Sequence, residues 1–115
     1  MPVRRGDIYW VDFGTPKGSE QGGRRPALII QNDTGNISSP TTIIAAITSK
    51  KKVSYTFHVD VSALESGLPQ DSTILLEQLL TINKSRLTNR IGNLSSAKML
   101  EVDRALKESL GLSSP

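Results

Sequence analysis

Short apolar runs recur along most of the chain, and glycine, proline, asparagine, aspartate and serine separate them. In the first run, residues 8–13, Ile8 and Trp10 alternate with Tyr9 and Val11, which indicates a strand covered on both faces. Runs this short and rich in β-branched residues favour strands over helices. The other predicted strands are residues 27–30, 42–47, 57–61 and 72–76, with a weaker strand at 79–82 or 87–91.

The last part of the chain changes to a helical period. Ser95 can cap a helix by accepting hydrogen bonds from first-turn amides, Leu94 is placed for a hydrophobic staple, and Gly111 supplies the stop. Asp103 and Lys107 are spaced to pair on one face of that helix. We expect the helix to bury its apolar stripe on the sheet or on a second copy of the chain. The stripe consists of Met99, Val102, Leu106 and Leu110.

This order of elements predicts a bent antiparallel sheet followed by one C-terminal helix. A length of 115 residues suits a single modest core, so we predict one domain over residues 1–115. A small all-β chain hides its strand edges best by closing, which favours a small β-barrel or a sandwich.

Composition excludes several classes of protein. The chain has no cysteine, which rules out disulfides, thiolate catalysis and cysteine-ligated zinc, and which suits a reducing compartment. It has neither an apolar run of about 18 residues nor the apolar core of a signal peptide. A cytoplasmic location is therefore expected.

Basic residues occur in three clusters beside predicted loops and strand ends. A formal charge of +3 permits an anionic partner without requiring one. The clusters could converge into one positive surface that attracts phosphates, or each could be separately solvated, which is the commoner case. They are Arg4-Arg5, Arg24-Arg25 and Lys50-Lys51-Lys52.

A glycine-rich loop, residues 14–23, leads into the second predicted strand. Gly22 and Gly23 allow backbone conformations closed to other residues and let a ligand approach the main chain. Pro26 can begin a strand but is rare in its middle. Arg25 is therefore expected at a strand edge facing the loop, which is how a phosphate site would be built.

Motifs for other chemistry are lacking. One histidine and scattered carboxylates do not make a metal motif, and neither a Ser-His-Asp arrangement nor a nucleotide-binding motif is present. His58 lies in a predicted strand, where a hydrogen-bonded structural role is commoner than a role in proton transfer. No cofactor is predicted.

Six sequence strings occur in order across nearly the whole chain: Arg5-Gly6-Asp7-Ile8-Tyr9-Trp10 with the glycine-rich loop, Ser39-Pro40-Thr41, Ala45-Ala46-Ile47-Thr48, Asp71-Ser72, Leu75-Leu76-Glu77-Gln78 and Arg86-Leu87. Together they resemble the MazF/PemK family, the endoribonuclease toxins of bacterial toxin–antitoxin pairs. The resemblance implies an SH3-like barrel and a ribosome-independent enzyme that cleaves single-stranded RNA without a metal, leaving a 2′,3′-cyclic phosphate and a 5′-hydroxyl.

By the same resemblance, Arg25 and Thr48 are the catalytic residues. RNA cleavage needs no external nucleophile, because the ribose 2′-hydroxyl can attack its own phosphate. Arg25 would handle proton transfer and phosphate charge, and Thr48 would steady the transition state. As alternatives, Arg25 could pair with Glu20 or Asp33, and Thr48 could bond its own loop.

Two further features of the resemblance concern proton transfer and base recognition. The first loop contains no histidine, unlike that of another branch of the family, and a guanidinium is a poor base. Substrate-assisted or solvent proton transfer therefore stays open.

The predicted RNA-binding residues are Ser19, Glu20, Gln21, Lys50, Lys51, Lys52 and Gln78, with Glu77 as a further candidate. Phe13 and Tyr55 could stack on a base or belong to the core.

The implied partners are single-stranded mRNA, a second copy of the chain in a homodimer, and a MazE-like antitoxin whose acidic C-terminal tail would cover the RNA groove. Two other classes share the predicted barrel. One is a non-catalytic toxin that binds DNA gyrase, and the other is an SH3-like adaptor that binds peptides or nucleic acid. Cleavage of RNA in EDTA would distinguish the enzyme from both.

Overall fold

The computed structural model describes residues 2–14, 23–50 and 54–112 of the chain. Within these ranges the backbone forms six strands, three α-helices and a short 3-10 helix at Lys84–Arg86. The strands are β1 (Asp7–Asp12), β2 (Arg24–Ile29), β3 (Thr41–Thr48), β4 (His58–Val61), β5 (Ser72–Asn83) and β6 (Leu87–Asn93). The helices are α1 (Asp33–Ser38), α2 (Ala63–Ser66) and α3 (Ser96–Leu110).

All six strands belong to one curled sheet with the order β4-β5-β3-β2-β1-β6, and hydrogen-bonded neighbours run antiparallel. The register of β3 against β5 shifts sharply: Ala45 pairs with Leu79, and the next residue, Ala46, pairs with Leu75. Residues 76–78 of β5 therefore form a bulge without partners on β3. Bulges increase local twist and bend a strand, which helps the sheet to curl.

The predicted fold class, mainly β with a C-terminal helix, is confirmed, and the curled sheet is a half-barrel. The two alternative positions for a weak strand are both occupied, because residues 79–82 extend β5 across its bulge and residues 87–91 lie in β6. The helices α1 and α2 were missed. They span six and four residues, too few to show a helical period, and side-chain caps from Asn32 and Ser62 stabilise their first turns.

Apolar side chains pack on both faces of the sheet, as the alternation in the first strand predicts. Ile8 and Leu28 belong to a core between the sheet and α3, together with Val102. Tyr9 and Val11 belong to a second cluster on the opposite face. This second face, away from α3, is the one that carries the candidate site.

Helix α3 begins and ends where the sequence predicts. The Ser95 side chain accepts a hydrogen bond from the Lys98 amide, and Gly111 ends the helix in the left-handed conformation with φ of 70°. The predicted pair of Asp103 with Lys107 is wrong. Asp103 Oδ1 instead accepts a hydrogen bond from Arg5 at 2.6 Å, which ties the helix to the start of β1.

The backbone at the end of α2, which follows the outer strand β4, packs against the other outer strand, β6. Gly67 ends α2 with φ of 82°, and a Cβ on it would lie 2.8 Å from the Ile91 carbonyl oxygen. A Cβ on Gly92 would lie 2.5 Å from the Ser66 carbonyl oxygen. Two glycines therefore allow the backbone after β4 to pack directly on β6.

Substitution Gly92→Ala tests this close approach. The added methyl group would overlap a backbone oxygen, which cannot move as a flexible side chain would, so we expect unfolding free energy to fall by about 1–3 kcal/mol. Denaturant unfolding measures the loss. Asn93→Ala, which changes an exposed side chain on the same strand, is the control and should stay within about 0.5 kcal/mol of wild type. Equal midpoints for Gly92→Ala and wild type would contradict the proposed contact.

Candidate active site

A pocket of 730 Å³ opens on the sheet face away from α3. Its volume lies in the range of small-ligand sites, and its walls combine apolar and polar side chains. Strands β2, β3, β4 and β5 all contribute. The lining residues are Phe13, Arg25, Pro26, Ile44, Ala46, Ile47, Thr48, Lys50, Tyr55, His58, Thr73, Leu75, Glu77, Gln78, Leu79 and Leu80.

Arg25 lies at the rim of the pocket on β2, and its side chain makes neither a hydrogen bond nor an ion pair with another described residue. The alternative partner Asp33 is engaged elsewhere, because its carboxylate accepts hydrogen bonds from the Arg5 amide at 2.7 Å and from Asn36 at 3.2 Å. These bonds, that from Arg5 above all, lower the pKa of Asp33. The other alternative partner, Glu20, lies outside the described residues.

The neighbouring Arg24 differs from Arg25 in the direction of its side chain and in its hydrogen-bond partners. Successive residues of a strand face opposite ways, and the Arg24 guanidinium donates hydrogen bonds to Thr88 at 3.1 Å and to Asn89 at 2.8 Å. It also lies 5.7 Å from the centre of the Trp10 ring. Arg24 is thus part of the outer surface of β1 and β6, whereas Arg25 faces the pocket.

Thr48 ends β3, the strand next to that of Arg25. Ala27 pairs with Ala46 at the last position of the β2–β3 ladder, and continuing this register by two residues puts Arg25 opposite Thr48. Both residues line the pocket. The Thr48 hydroxyl oxygen accepts a hydrogen bond from the Lys50 amide at 3.1 Å. The alternative expected for Thr48, a bond to its own loop, is therefore present. Because the Thr48 oxygen is the acceptor in this bond, its hydroxyl proton is not used by it.

The bulge of β5 brings Glu77 and Gln78 into the pocket wall from the opposite side. Glu77 Oε2 lies 3.2 Å from His58 Nε2, and the His58 side chain is only 10% exposed. The ring of Tyr55 stacks on Phe57 at 5.0 Å, and both rings meet the His58 ring edge to face. Tyr55 is half exposed at the pocket. A histidine, a carboxylate and an aromatic face therefore lie together here.

The structure brings only part of the predicted basic surface to the pocket. Lys50 lines it together with Arg25. Arg5 instead donates to Ile30 and Asp103, and Arg24 donates to β6, so convergence of all three clusters is wrong for these two residues. The predicted binding residues Ser19, Glu20, Gln21, Lys51 and Lys52 lie outside the described residues.

Sequence reasoning missed the apolar part of the pocket wall. Leu75 and Leu80 resemble core residues in the chain, but in the structure both line the pocket, and Leu80 is half exposed. The described residues contain neither a cluster of three or more potential metal ligands nor a helix long and apolar enough to cross a membrane.

The fold is shared with solved structures of other small β-sheet proteins. The solved MazE–MazF complex (Form-II) from Deinococcus radiodurans superposes with a TM-score of 0.79, at 27% identity and over 98% of this chain and 99% of that one. An endoribonuclease in complex with its cognate antitoxin from a mycobacterial species shares the fold with a TM-score of 0.82 at 23% identity, over 98% and 99% of the two chains.

Sequence comparison is more specific. The chain is 52% identical over 111 residues to endoribonuclease MazF of Staphylococcus epidermidis, covering 96% of this chain and 92% of the relative. It is 51% identical over 113 residues to endoribonuclease EndoA of Bacillus subtilis (strain 168), covering 97% of each. The family model of the PemK-like, MazF-like toxins of type II toxin–antitoxin systems matches residues 4–110, and the chain belongs to that family.

Proposed function

We propose that this chain is a metal-independent, sequence-selective toxin endoribonuclease that cleaves single-stranded RNA by attack of the ribose 2′-hydroxyl. Endoribonuclease activity itself is confirmed by the two relatives at about half identity. The observation that supports the proposed mechanism is that Arg25 and Thr48, at the ends of the neighbouring strands β2 and β3, line one pocket.

In the proposed reaction, the ribose 2′-oxygen bonds to phosphorus while the bond between phosphorus and the 5′-oxygen of the next nucleotide breaks. The 2′-hydroxyl proton passes to a phosphate oxygen or to solvent, and the departing 5′-oxygen gains a proton. The products are a 2′,3′-cyclic phosphate and a 5′-hydroxyl. No water is consumed in this step, so the protein need only hold the backbone in line and stabilise charge.

Arg25 is suited to the charge that develops on the phosphate. Its guanidinium stays protonated and presents a planar fork that matches two phosphate oxygens. No described residue occupies that fork, so phosphate binding breaks no ion pair within the described part of the chain. The Thr48 hydroxyl adds a second donor to the same phosphate, and each such donor contributes roughly 2.7–4 kcal/mol to transition-state stabilisation.

The other polar residues of the pocket suit single-stranded RNA. Lys50 attracts phosphates without reading sequence, whereas Gln78 offers an amide to the edge of an unstacked base. Ser19, Glu20 and Gln21 in the glycine-rich loop are the other proposed base readers.

A MazE-like antitoxin is the proposed protein partner. Both antitoxin-bound neighbours share the fold, and an extended acidic tail would suit the same basic groove as RNA. The relatives are named as endoribonucleases, which favours the enzyme over a non-catalytic gyrase-binding toxin of the same fold. Discrete fragments from a long RNA incubated with the protein in EDTA support the enzyme, and intact RNA would support a binding protein.

Arg25→Ala and Thr48→Ala should each lower the cleavage rate about 10²–10³-fold, since each removes one donor to the transition state. The rates are measured on a long RNA in EDTA, with far-UV circular dichroism to verify folding. Arg24→Ala is the matched control, because it removes a neighbouring arginine that faces away from the pocket, and it should retain cleavage. Wild-type rates in folded Arg25→Ala and Thr48→Ala would overturn the assignment.

Replacement of Lys50, Lys51 and Lys52 by alanine should weaken RNA binding and leave the cleavage sequence unchanged. Each lost phosphate contact on a single strand reduces the slope of log affinity against log salt by about 0.7, so three contacts would account for roughly 2. Salt titrations of binding and a map of the cleavage sites provide the measurements. Arg104→Ala combined with Lys107→Ala, on α3, is the control. An altered cleavage sequence would mean that the lysines read bases.

A homodimer is the proposed assembly. Leu76 and Val102 are buried in the core, whereas Leu80, Leu100 and Leu110 are exposed. Pairing of two chains about a two-fold axis would bury exposed apolar surface of this kind. Light scattering should report twice the chain mass of 12.5 kDa. A monomer at micromolar concentration would contradict the dimer.

A further inference from the structure

Thr73 lies between Thr48 and Asp60 in one row across three strands. Thr48 of β3 pairs with Thr73 of β5, and Thr73 pairs with Asp60 of β4. Side chains directly opposite each other in an antiparallel sheet lie on the same face, with Cβ atoms about 4.5–5.5 Å apart. Thr48 has a role in the reaction proposed above, whereas the other two members of the row have none.

The Thr73 hydroxyl is directed away from Thr48. It donates a hydrogen bond to Asp60 Oδ1 at 2.9 Å, and β4 and β3 lie on opposite sides of β5. Thr73 lines the pocket together with Thr48, whereas Asp60 lines a second cavity of 390 Å³ that Thr73 also borders. The Asp60 carboxylate therefore acts on this row from its far end, two strands away from Thr48.

Without Asp60, the Thr73 hydroxyl would need another partner. Thr73 is only 3% exposed, and a buried hydroxyl without a hydrogen bond is costly. Threonines opposite each other on neighbouring strands are close enough to hydrogen-bond. Thr48 already accepts a hydrogen bond from the Lys50 amide at 3.1 Å. A further bond with Thr73 would turn the Thr48 hydroxyl toward β5, and it would compete with the RNA phosphate for that hydroxyl.

We propose that Asp60 is a positioning residue for RNA cleavage: it holds the Thr73 hydroxyl on the β4 side of β5 and thereby keeps the Thr48 hydroxyl available to the phosphate. This inference rests on the proposed function, because Asp60 acts on the reaction only through Thr48. Asp60 is exposed, so its replacement is compatible with folding.

Asp60→Ala tests the proposal at saturating RNA. It should lower kcat about two- to fivefold, which corresponds to one cross-strand threonine hydrogen bond that must break before Thr48 binds the phosphate. Asp60→Asn is the matched control, because it removes the same charge but keeps an oxygen that accepts from Thr73, and it should retain kcat. An unchanged kcat in Asp60→Ala would overturn the proposal. An equal loss in both variants would also overturn it, because the charge would then be the cause.

A second substitution separates positioning from a general loss of structure. Thr73→Val keeps the shape of the side chain and removes the hydroxyl that would compete for Thr48. Asp60→Ala combined with Thr73→Val should therefore recover the wild-type kcat, since both partners of the hydrogen bond are then removed. In a Thr48→Ala background, Asp60→Ala should cause no further loss. A folded double variant as slow as Asp60→Ala alone would overturn the positioning role.

The χ1 rotamer of Thr73 provides a measurement that does not depend on cleavage. Three-bond NMR couplings to the Thr73 methyl carbon should change in Asp60→Ala, as the hydroxyl turns toward Thr48, and should stay the same in Asp60→Asn. A wild type that does not cleave RNA would overturn the proposed function, while the changed rotamer would still support the restraint on Thr73. Cleavage by the wild type with an unchanged rotamer in Asp60→Ala would overturn the positioning role alone.

Discussion

Strand β3 is hydrogen-bonded on both of its edges, and the positions of all the candidate site residues depend on those two registers. Pairing with β2 brings the strand ends that carry Arg25 and Thr48 together, and pairing with β5 fixes the position of the bulge that carries Glu77. Because side chains alternate along a strand, a slip of one residue in β2 or β3 would turn Arg25 or Thr48 toward the core under α3. Burial of Ala45 and Ile47 on that side opposes such a slip. The core thus holds the site in register without contributing to its chemistry.

The bulge in β5 has a complementary effect. An uninterrupted strand would continue the alternation through residues 76–78 and keep their backbone paired with β3. The shift from Leu75 to Leu79 instead releases this segment from β3 and interrupts the alternation after Glu77: Leu76 is buried in the core, Glu77 and Gln78 both line the pocket, and Leu79 packs against the core again. Bulges beside active sites commonly redirect side chains in this way. Here the same irregularity contributes to the curl of the sheet and places Gln78 next to Glu77 at the pocket.

The distribution of partners among the arginines separates structural from candidate functional charge. Arg5 connects β1 to α3, Arg24 lies over Trp10 and binds β6, and Arg90 pairs with the buried Asp7 at 3.2 Å. These guanidinium groups are engaged within the protein. Arg25, by contrast, makes no hydrogen bond or ion pair with a described residue, and Lys50 joins it at the pocket. Net charge is therefore a weaker indicator of the site than the absence of a competing partner within the described chain.

Much of this protein could be derived from its sequence, because the relevant signals are local. Alternation predicts the strands, the Ser95 cap and Gly111 predict the limits of α3, and ordered motifs predict the family. The small helices α1 and α2 escaped prediction because they are shorter than the period that would reveal them. The pairing of Asp103 with Arg5 escaped because its partners are 98 residues apart. Only the tertiary structure decided which basic residues face the pocket and which carboxylate lies beside His58. Both outcomes depend on register between distant strands, which hydrogen bonding and core packing select together and which local sequence does not encode.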